Sequence, residues 1–240
     1  MSVNLTPEQK KDLEEFAKNT LFGEAKEIPY KPLTPDEEAI FDSDWNTILD
    51  NLSRLDPEIA DWFDSQRKFY KIAAGIAKAT FSGSTVFGGL NPSSGQFGFQ
   101  LIFPRAFIGA NSWVKTISSA GWNDMFGSSS SPITGSTTSG QQRMYYYQGW
   151  LIYYGIKPVA WRLHHGAKDY PVFYVEPQMK IPKTDKYITL LKSYNNILVT
   201  PTGSHYIRML FLETGEIEIQ PLGLIYAEYD YLKSESTFYA

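Results

Sequence analysis

The chain has 240 residues, of which 42% are hydrophobic and 20% charged, so it is long and apolar enough to bury a core. Its formal net charge of −4 excludes a general electrostatic attraction to nucleic acid or to anionic membranes. Because it contains no cysteine, disulfide scaffolds, thiolate metal sites and cysteine nucleophiles are excluded as well.

The first residues are neither basic nor apolar, and no window is long and apolar enough to cross a bilayer. We therefore expect no export signal, no transmembrane segment, and a protein that stays in the cytoplasm of the producing cell unless it enters a virion.

The first third of the sequence predicts three helices with recognisable start signals. Thr6-Pro7 and Thr34-Pro35 each combine an N-cap residue with proline at the first helical position. Asp56-Pro57 starts a third helix that we expect to continue to about residue 83. Two prolines stiffen the linker over residues 23–33, so the sequence predicts a helical region over residues 1–83.

The middle third contains almost no charge. Residues 81–160 carry one acidic side chain, Asp124, and four basic ones, whereas water-exposed surfaces normally carry many more. A Gly/Ser-rich run over residues 127–140 is expected to form a loop. Large aromatic residues are interleaved with these small ones. The scarcity of charge over so long a segment is the main anomaly of the sequence.

The remainder of the chain reads mostly as β-structure. Aromatic and alternating patterns predict strands over residues 97–103, 144–154, 159–164 and 170–175, a short helix over 184–194, and a meander over 197–232. Short turns between the strands predict antiparallel pairing. The expected class is α+β, with a helical region followed by a loop-rich, mainly antiparallel β domain over residues 84–240. The pattern does not decide between a sandwich and a barrel.

No catalytic motif stands out. Asp124 is a lone acid beside aromatic residues, and His164 and His205 lie on predicted strands, so these three are weak catalytic candidates. A zinc site would need His164 or His165 to meet His205 and a carboxylate, but no metal-ligand spacing supports it. We expect no cofactor and no metal, and four basic residues in the middle third make no strong nucleic-acid signal.

The charge-poor, aromatic middle third is typical of a protein–protein interface, where unpaired charges are costly and aromatic side chains bring area with few rotors. Candidate interface residues are Phe97, Phe99, Phe103, Trp113, Trp122, Phe126, Tyr145, Tyr147 and Trp150. The leading hypothesis is a non-enzymatic subunit of a larger assembly, most concretely a capsid, neck or tail component of a virion, with copies of itself or other subunits as partners.

Two alternatives stay open. Stacking aromatic faces also suit a module that binds carbohydrate or peptide, in a groove bordered by Trp113, Trp122, Trp150 or Trp161. A hydrolase that uses carboxylate or histidine residues is the second alternative, although the sequence leans against an enzyme.

Overall fold

The computed structural model describes residues 29–81, 87–102, 114–134, 142–165, 168–169, 173–174, 177–183, 186–199 and 204–235. The helices are α1 (Pro35–Leu55), α2 (Pro57–Asp64), α3 (Arg67–Thr80) and α4 (Tyr229–Glu235). The strands are β1 (Phe97–Leu101), β2 (Val114–Ile117), β3 (Gly121–Phe126), β4 (Ile133–Thr134), β5 (Arg143–Gly155), β6 (Ala160–His165), β7 (Lys168–Asp169), β8 (Phe173–Tyr174), β9 (Pro177–Lys183), β10 (Lys186–Val199), β11 (Ser204–Phe211) and β12 (Gly215–Glu228). The predicted helix after Thr6 lies outside the described residues.

The start of α1 is the capping box that the sequence predicts. The Glu37 amide donates to Thr34 Oγ1 at 3.4 Å, and the Thr34 amide donates to Glu37 Oε2 at 2.7 Å. Asp56 begins α2 in the same way, because its Oδ1 accepts the Glu58 amide at 2.7 Å. These contacts satisfy amides at helix starts that have no partner within the helix.

The single helix predicted from Asp56 onward is instead two helices, α2 and α3, with a turn at Ser65 and Gln66. Ser65 Oγ donates to the Trp62 carbonyl at 2.5 Å, and Gln66 Nε2 donates to Ser65 Oγ at 2.8 Å. Local side-chain hydrogen bonds of this kind compete with helix continuation, and they account for the interruption.

The strands form two antiparallel sheets. The first sheet has the order β1-β12-β5-β10-β9, with β2 also paired to β12. The second has the order β3-β11-β6-β7, with β4 paired to β11 and β8 to β6. Neither path closes on itself among the described residues. The α+β class and the antiparallel pairing are therefore confirmed, and no closed barrel is present in the described part of the chain.

The helix predicted over residues 184–194 is wrong, because the described part of this segment, residues 186–194, belongs to β10. Strand β10 pairs with β5 on one side and with β9 on the other. Its neighbouring residues Leu190 and Leu191 enter different hydrophobic cores, as the period of two in a strand requires. Pairing and burial on both sides outweigh the local preference for a helix.

The first sheet separates two hydrophobic cores. One, the helical core, lies between the helices α1 to α3 and the first sheet, and the other, the inter-sheet core, lies between the two sheets. Strand β5 shows the division, since Met144 and Tyr146 pack in the helical core while Tyr145 and Tyr147 pack in the inter-sheet core. A strand that is covered on both faces must be apolar on both faces.

Candidate functional site

Most of the predicted interface residues lie inside the chain's own cores. Six of the nine have relative exposures between 0% and 3%, namely Phe97, Phe99, Phe126, Tyr145, Tyr147 and Trp150. Trp122 is half-buried, and Phe103 and Trp113 lie outside the described residues. Trp150 and Trp161 are both fully buried, so neither borders the aromatic groove expected for a binding module.

The burial of these six side chains within the fold explains why the middle third has so few charges. The charge-poor middle third includes β1, β3 and β5, and β5 is an interior strand between the helical layer and the second sheet. Charged side chains are costly at such positions unless they are paired. In the described part of the segment, burial within one chain therefore accounts for the composition without a partner.

The outer face of the second sheet, which points away from the inter-sheet core, brings two of the predicted candidates together. Strand β11 alternates between half-buried and buried residues, so Tyr206 and Arg208 point outward while their neighbours enter the core. On β6, His164 lies opposite Tyr206 and Arg162 opposite Arg208; on β3, Asp124 lies opposite Arg208. We call this surface the arginine–aromatic face, formed by Trp122, Asp124, Arg162, His164, Tyr206 and Arg208.

Two ring contacts and one ion pair organise this face. The guanidinium carbon of Arg162 lies 4.6 Å from the centroid of the Trp122 ring. The rings of His164 and Tyr206 are parallel, with 4.3 Å between their centroids. Arg208 Nε lies 2.9 Å from Asp124 Oδ1, and its Nη2 donates to the Trp122 carbonyl at 3.0 Å. Like charges on directly opposed positions, such as Arg162 and Arg208, repel, and Asp124 offsets this repulsion.

The Asp124 carboxylate is thus held in an ion pair with Arg208. Beneath it, Lys115 of β2 donates to the carbonyls of Asp124 at 2.6 Å and of Met125 at 3.0 Å. Burial lowers the pKa of Lys115, and the nearby Asp124 charge opposes that shift. Lys115 thus connects the first sheet to the second, a role that its position in the sequence does not indicate.

His205 lies on the opposite side of β11, fully buried in the inter-sheet region. Its Nε2 is hydrogen-bonded to Tyr147 Oη at 2.7 Å, and among the described residues its Nδ1 has no hydrogen-bond partner. Burial, together with the nearby charges of His165 and Arg143, lowers the pKa of His205 to about 3. His205 is therefore neutral at physiological pH.

The three weak catalytic candidates do not form one site. Asp124 and His164 share the arginine–aromatic face, whereas His205 points into the core from the other side of the same sheet. His165 lies opposite His205 on the neighbouring strand, but the described residues contain no group of three His, Asp or Glu side chains placed to hold a metal ion. In the part of the chain that the structure describes, no helix is long and apolar enough to span a membrane.

Seven large apolar side chains of the described residues are exposed, and sequence reasoning missed them; one is Ile40 of α1, and the other six, between 41% and 72% exposed, lie in two regions. Phe69 and Ile72 lie on α3 with Tyr30 against the same helix, whereas Val114 and Tyr154 lie on the first sheet with Leu212 in the turn that leads into β12. We call the first group the helix patch (Tyr30, Phe69 and Ile72) and the second the sheet patch (Val114, Tyr154 and Leu212). Of the neighbouring aromatic residues on α3, Tyr70 is buried and Phe69 is exposed.

Comparisons of the chain with protein-family models, with curated proteins and with solved structures gave no match.

Proposed function

We propose that the chain is a non-enzymatic subunit of a larger assembly and acts through protein–protein contacts. The observation that carries this proposal is the grouping of exposed large apolar side chains into the helix patch and the sheet patch. Single exposed apolar residues are ordinary, but contiguous groups rimmed by polar residues mark interaction surfaces. The buried aromatic residues of the middle third give the proposal no support.

Sedimentation velocity of the purified chain tests the proposal. We expect the average mass to rise as the concentration increases from about 1 to about 100 μM, the range that populates interfaces of moderate affinity. Raising the salt concentration should weaken the association if charged rims contribute to it. A compact monomer at every concentration would overturn self-assembly as the function.

Within this class, a capsid, neck or tail component of a virion is the most concrete form of the proposal. Its support is compositional: the chain has no cysteine, only three histidines, and many tyrosine residues. Electron microscopy of the concentrated protein checks this form. Rings, tubes or shells are expected, and particles no larger than one chain count against it.

A binding module for carbohydrate or peptide is the second candidate function, and the arginine–aromatic face favours it. Trp122 and Tyr206 are half-buried on an outward sheet face beside two guanidinium groups, which suits stacking and hydrogen bonding to a ligand. Titration of a glycan and peptide panel, monitored by tryptophan fluorescence, should then give a change that Trp122→Phe abolishes. An unchanged spectrum across the panel argues against this function.

The hydrolase alternative loses its support from geometry. Asp124 is ion-paired with Arg208, and His205 is buried on the other side of the sheet from His164. Of the three candidates only Asp124 and His164 share a face, and there the Asp124 carboxylate is paired with Arg208.

A further inference from the structure

The helix patch is a continuous apolar stripe with lysines at its border. Phe69 and Ile72 are three residues apart on α3 and therefore share one side of the helix. Tyr30 extends the stripe, because its ring lies against Gly75, one further step of three along α3. The Lys31 amide donates to the Gly75 carbonyl at 3.1 Å and holds this segment on the helix.

Two exposed lysines border the helix patch. Lys31 follows Tyr30 directly, and Lys68 precedes Phe69 and lies one turn from Ile72. Among the described residues neither lysine forms an ion pair, whereas three other basic residues of α3 do, namely Arg67, Lys71 and Lys78. The two lysines next to the apolar stripe are thus in no ion pair with the described residues and can pair with an acidic partner surface.

The sheet patch carries the opposite charge. Val114 of β2 and Tyr154 of β5 both lie opposite Glu218 of β12, so the three side chains stand in a row across the sheet. Glu218 and Glu216 point away from the inter-sheet core, because the alternate residues Ile217 and Ile219 are inside it. Leu212, which is 72% exposed, and the exposed Glu213 lie in the turn that leads into β12.

No ion pair within the described chain uses the three glutamates that border the sheet patch. Among the described residues, the helix patch thus has two lysines beside its three exposed apolar residues, and the sheet patch has three glutamates beside its own three; none of these five charged residues forms an ion pair there. Complementary charge around an apolar centre is the arrangement expected of two surfaces that recognise each other. Both patches belong to one chain and are formed by different elements. A contact between the helix patch of one copy and the sheet patch of another copy therefore buries both kinds of surface.

We propose that the partner of the helix patch is the sheet patch of a second copy of this chain. This inference rests on the proposed function and deepens it by naming the partner and the two surfaces. Lys31 and Lys68 of one copy face Glu216 and Glu218 of the other, around a contact made by Phe69 and Ile72 with Tyr154 and Leu212.

Charge-reversal variants of the full chain test the pairing, since they change exposed side chains without opening a core. One variant reverses the helix patch (Lys31→Glu, Lys68→Glu), and the other reverses the sheet patch (Glu216→Lys, Glu218→Lys). Each variant alone is expected to self-associate at least about tenfold more weakly, because its two patches then carry the same sign. An equimolar mixture of the two should restore association, because the negative patches of one variant meet the positive patches of the other. The quadruple variant, which carries all four reversals, should regain self-association.

A second pair of variants removes the apolar centres and gives an independent measurement. Phe69→Ser with Ile72→Ser destroys only the helix patch, and Tyr154→Ser with Leu212→Ser destroys only the sheet patch. Each variant alone should be impaired, but an equimolar mixture should form a 1:1 complex, since each partner retains the surface that the other lacks. The matched control for charge is Asp50→Lys with Asp61→Lys, two exposed positions on α1 and α2, which should leave the association unchanged.

The outcomes separate the inference from the proposed function. If the wild-type chain associates and the patch variants associate equally well, the pairing of the patches is overturned while an assembly function stands. If the mixture of apolar variants gives no 1:1 complex, or the quadruple charge variant stays as weak as the two reversals made separately, the pairing is overturned too. A wild-type chain that remains monomeric overturns the pairing of the patches and self-assembly together.

Discussion

At the scale of single residues, the burial of His205 makes the stability of the fold depend on pH. Burial, together with the nearby charges of His165 and Arg143, lowers the pKa of His205 from 6.5 to about 3 in the folded chain. Between these two pH values His205 is protonated in the unfolded chain but not in the folded chain. The free energy of unfolding therefore falls as the pH decreases from 6.5. The loss is roughly 1.4 kcal/mol per pH unit and stops near the folded pKa.

We therefore expect His205→Phe to flatten the decline in unfolding free energy between about pH 6.5 and about pH 4.5. The variant also removes the hydrogen bond between Tyr147 Oη and His205, a cost that is independent of pH over this range. Urea unfolding at a series of pH values gives the slope. Ser204→Ala, at the neighbouring half-buried position on β11, removes no titratable group and is the control, which should keep the wild-type slope. Equal slopes for wild type and His205→Phe would contradict the assignment.

Glycine is required at position 75 of α3 because the segment formed by residues 30–31 crosses the helix there. Glycine in a helix interior is about 1 kcal/mol less favourable than alanine, so Gly75→Ala would stabilise an isolated helix. Here the added Cβ would overlap the Tyr30 ring and lie 2.9 Å from the Lys31 carbonyl oxygen. We expect the overlap to dominate and the variant to lose about 1–3 kcal/mol.

A double-mutant cycle with Tyr30→Ala shows whether the ring is responsible for that loss. Denaturant unfolding of the single and double variants should give a coupling free energy of about 1 kcal/mol or more, since removing the ring relieves the closest of the overlaps with alanine at position 75. A more stable Gly75→Ala chain would show that the 30–31 segment does not press on α3.

At the scale of elements, one carboxylate joins the start of α1 to α3. Glu37 accepts the Thr34 amide and pairs with Lys78 of α3 at 2.5 Å, with only 11% of its side chain exposed. Burial raises the pKa of Glu37, but the hydrogen bonds from Lys78 and Thr34 outweigh it and leave the pKa below 4.5. The stabilisation is therefore present above pH 4.5 and is lost as the pH falls through the folded pKa.

We expect Glu37→Gln to lower the unfolding free energy by about 1–2 kcal/mol at neutral pH, because the amide still caps α1 but no longer pairs with Lys78. The difference from wild type should shrink toward zero at acid pH, where Glu37 is protonated. Glu38→Gln is the matched control, since Glu38 is the exposed neighbour in the same helical turn. A deficit that persists at low pH would indicate a packing defect rather than the loss of a charge.

Elements with local signals were predictable and elements decided by pairing were not. Thr34-Pro35 and Asp56-Pro57 specify helix starts through contacts within four residues, and both are confirmed. The segment over 184–194 contains no such signal, and its neighbours β5 and β9 make it a strand. The arginine–aromatic face has the same origin, because Asp124, Arg162 and Arg208 are distant in sequence and meet only through register.

At the scale of the whole molecule, the charge-poor middle third follows from the layering of the fold. The sequence alone shows that residues such as Tyr145 and Trp150 avoid water, but not which surface covers them. The structure covers the described ones with the helices on one side of the first sheet and the second sheet on the other. Burial and interfaces select the same composition, so composition cannot distinguish them.

The shared first sheet should also make the described layers unfold together. Strands β5 and β12 supply side chains to both cores, so loss of either core removes the support of the sheet that builds the other. Phe63, stacked on Trp45 at 4.6 Å, belongs to the helical core, and Phe211 belongs to the inter-sheet core. We expect Phe63→Leu and Phe211→Leu each to lower the unfolding free energy by about 1 kcal/mol or more.

In both variants, denaturant curves from far-ultraviolet circular dichroism and from tryptophan fluorescence should coincide in one transition. The fluorescence reports both cores, because Trp45 lies in the helical core while Trp150 and Trp161 lie in the inter-sheet core. If Phe63→Leu instead produces an early transition seen by one probe, the helical layer unfolds on its own. The helix patch would then rest on a separable element, because two of its three residues, Phe69 and Ile72, lie on α3.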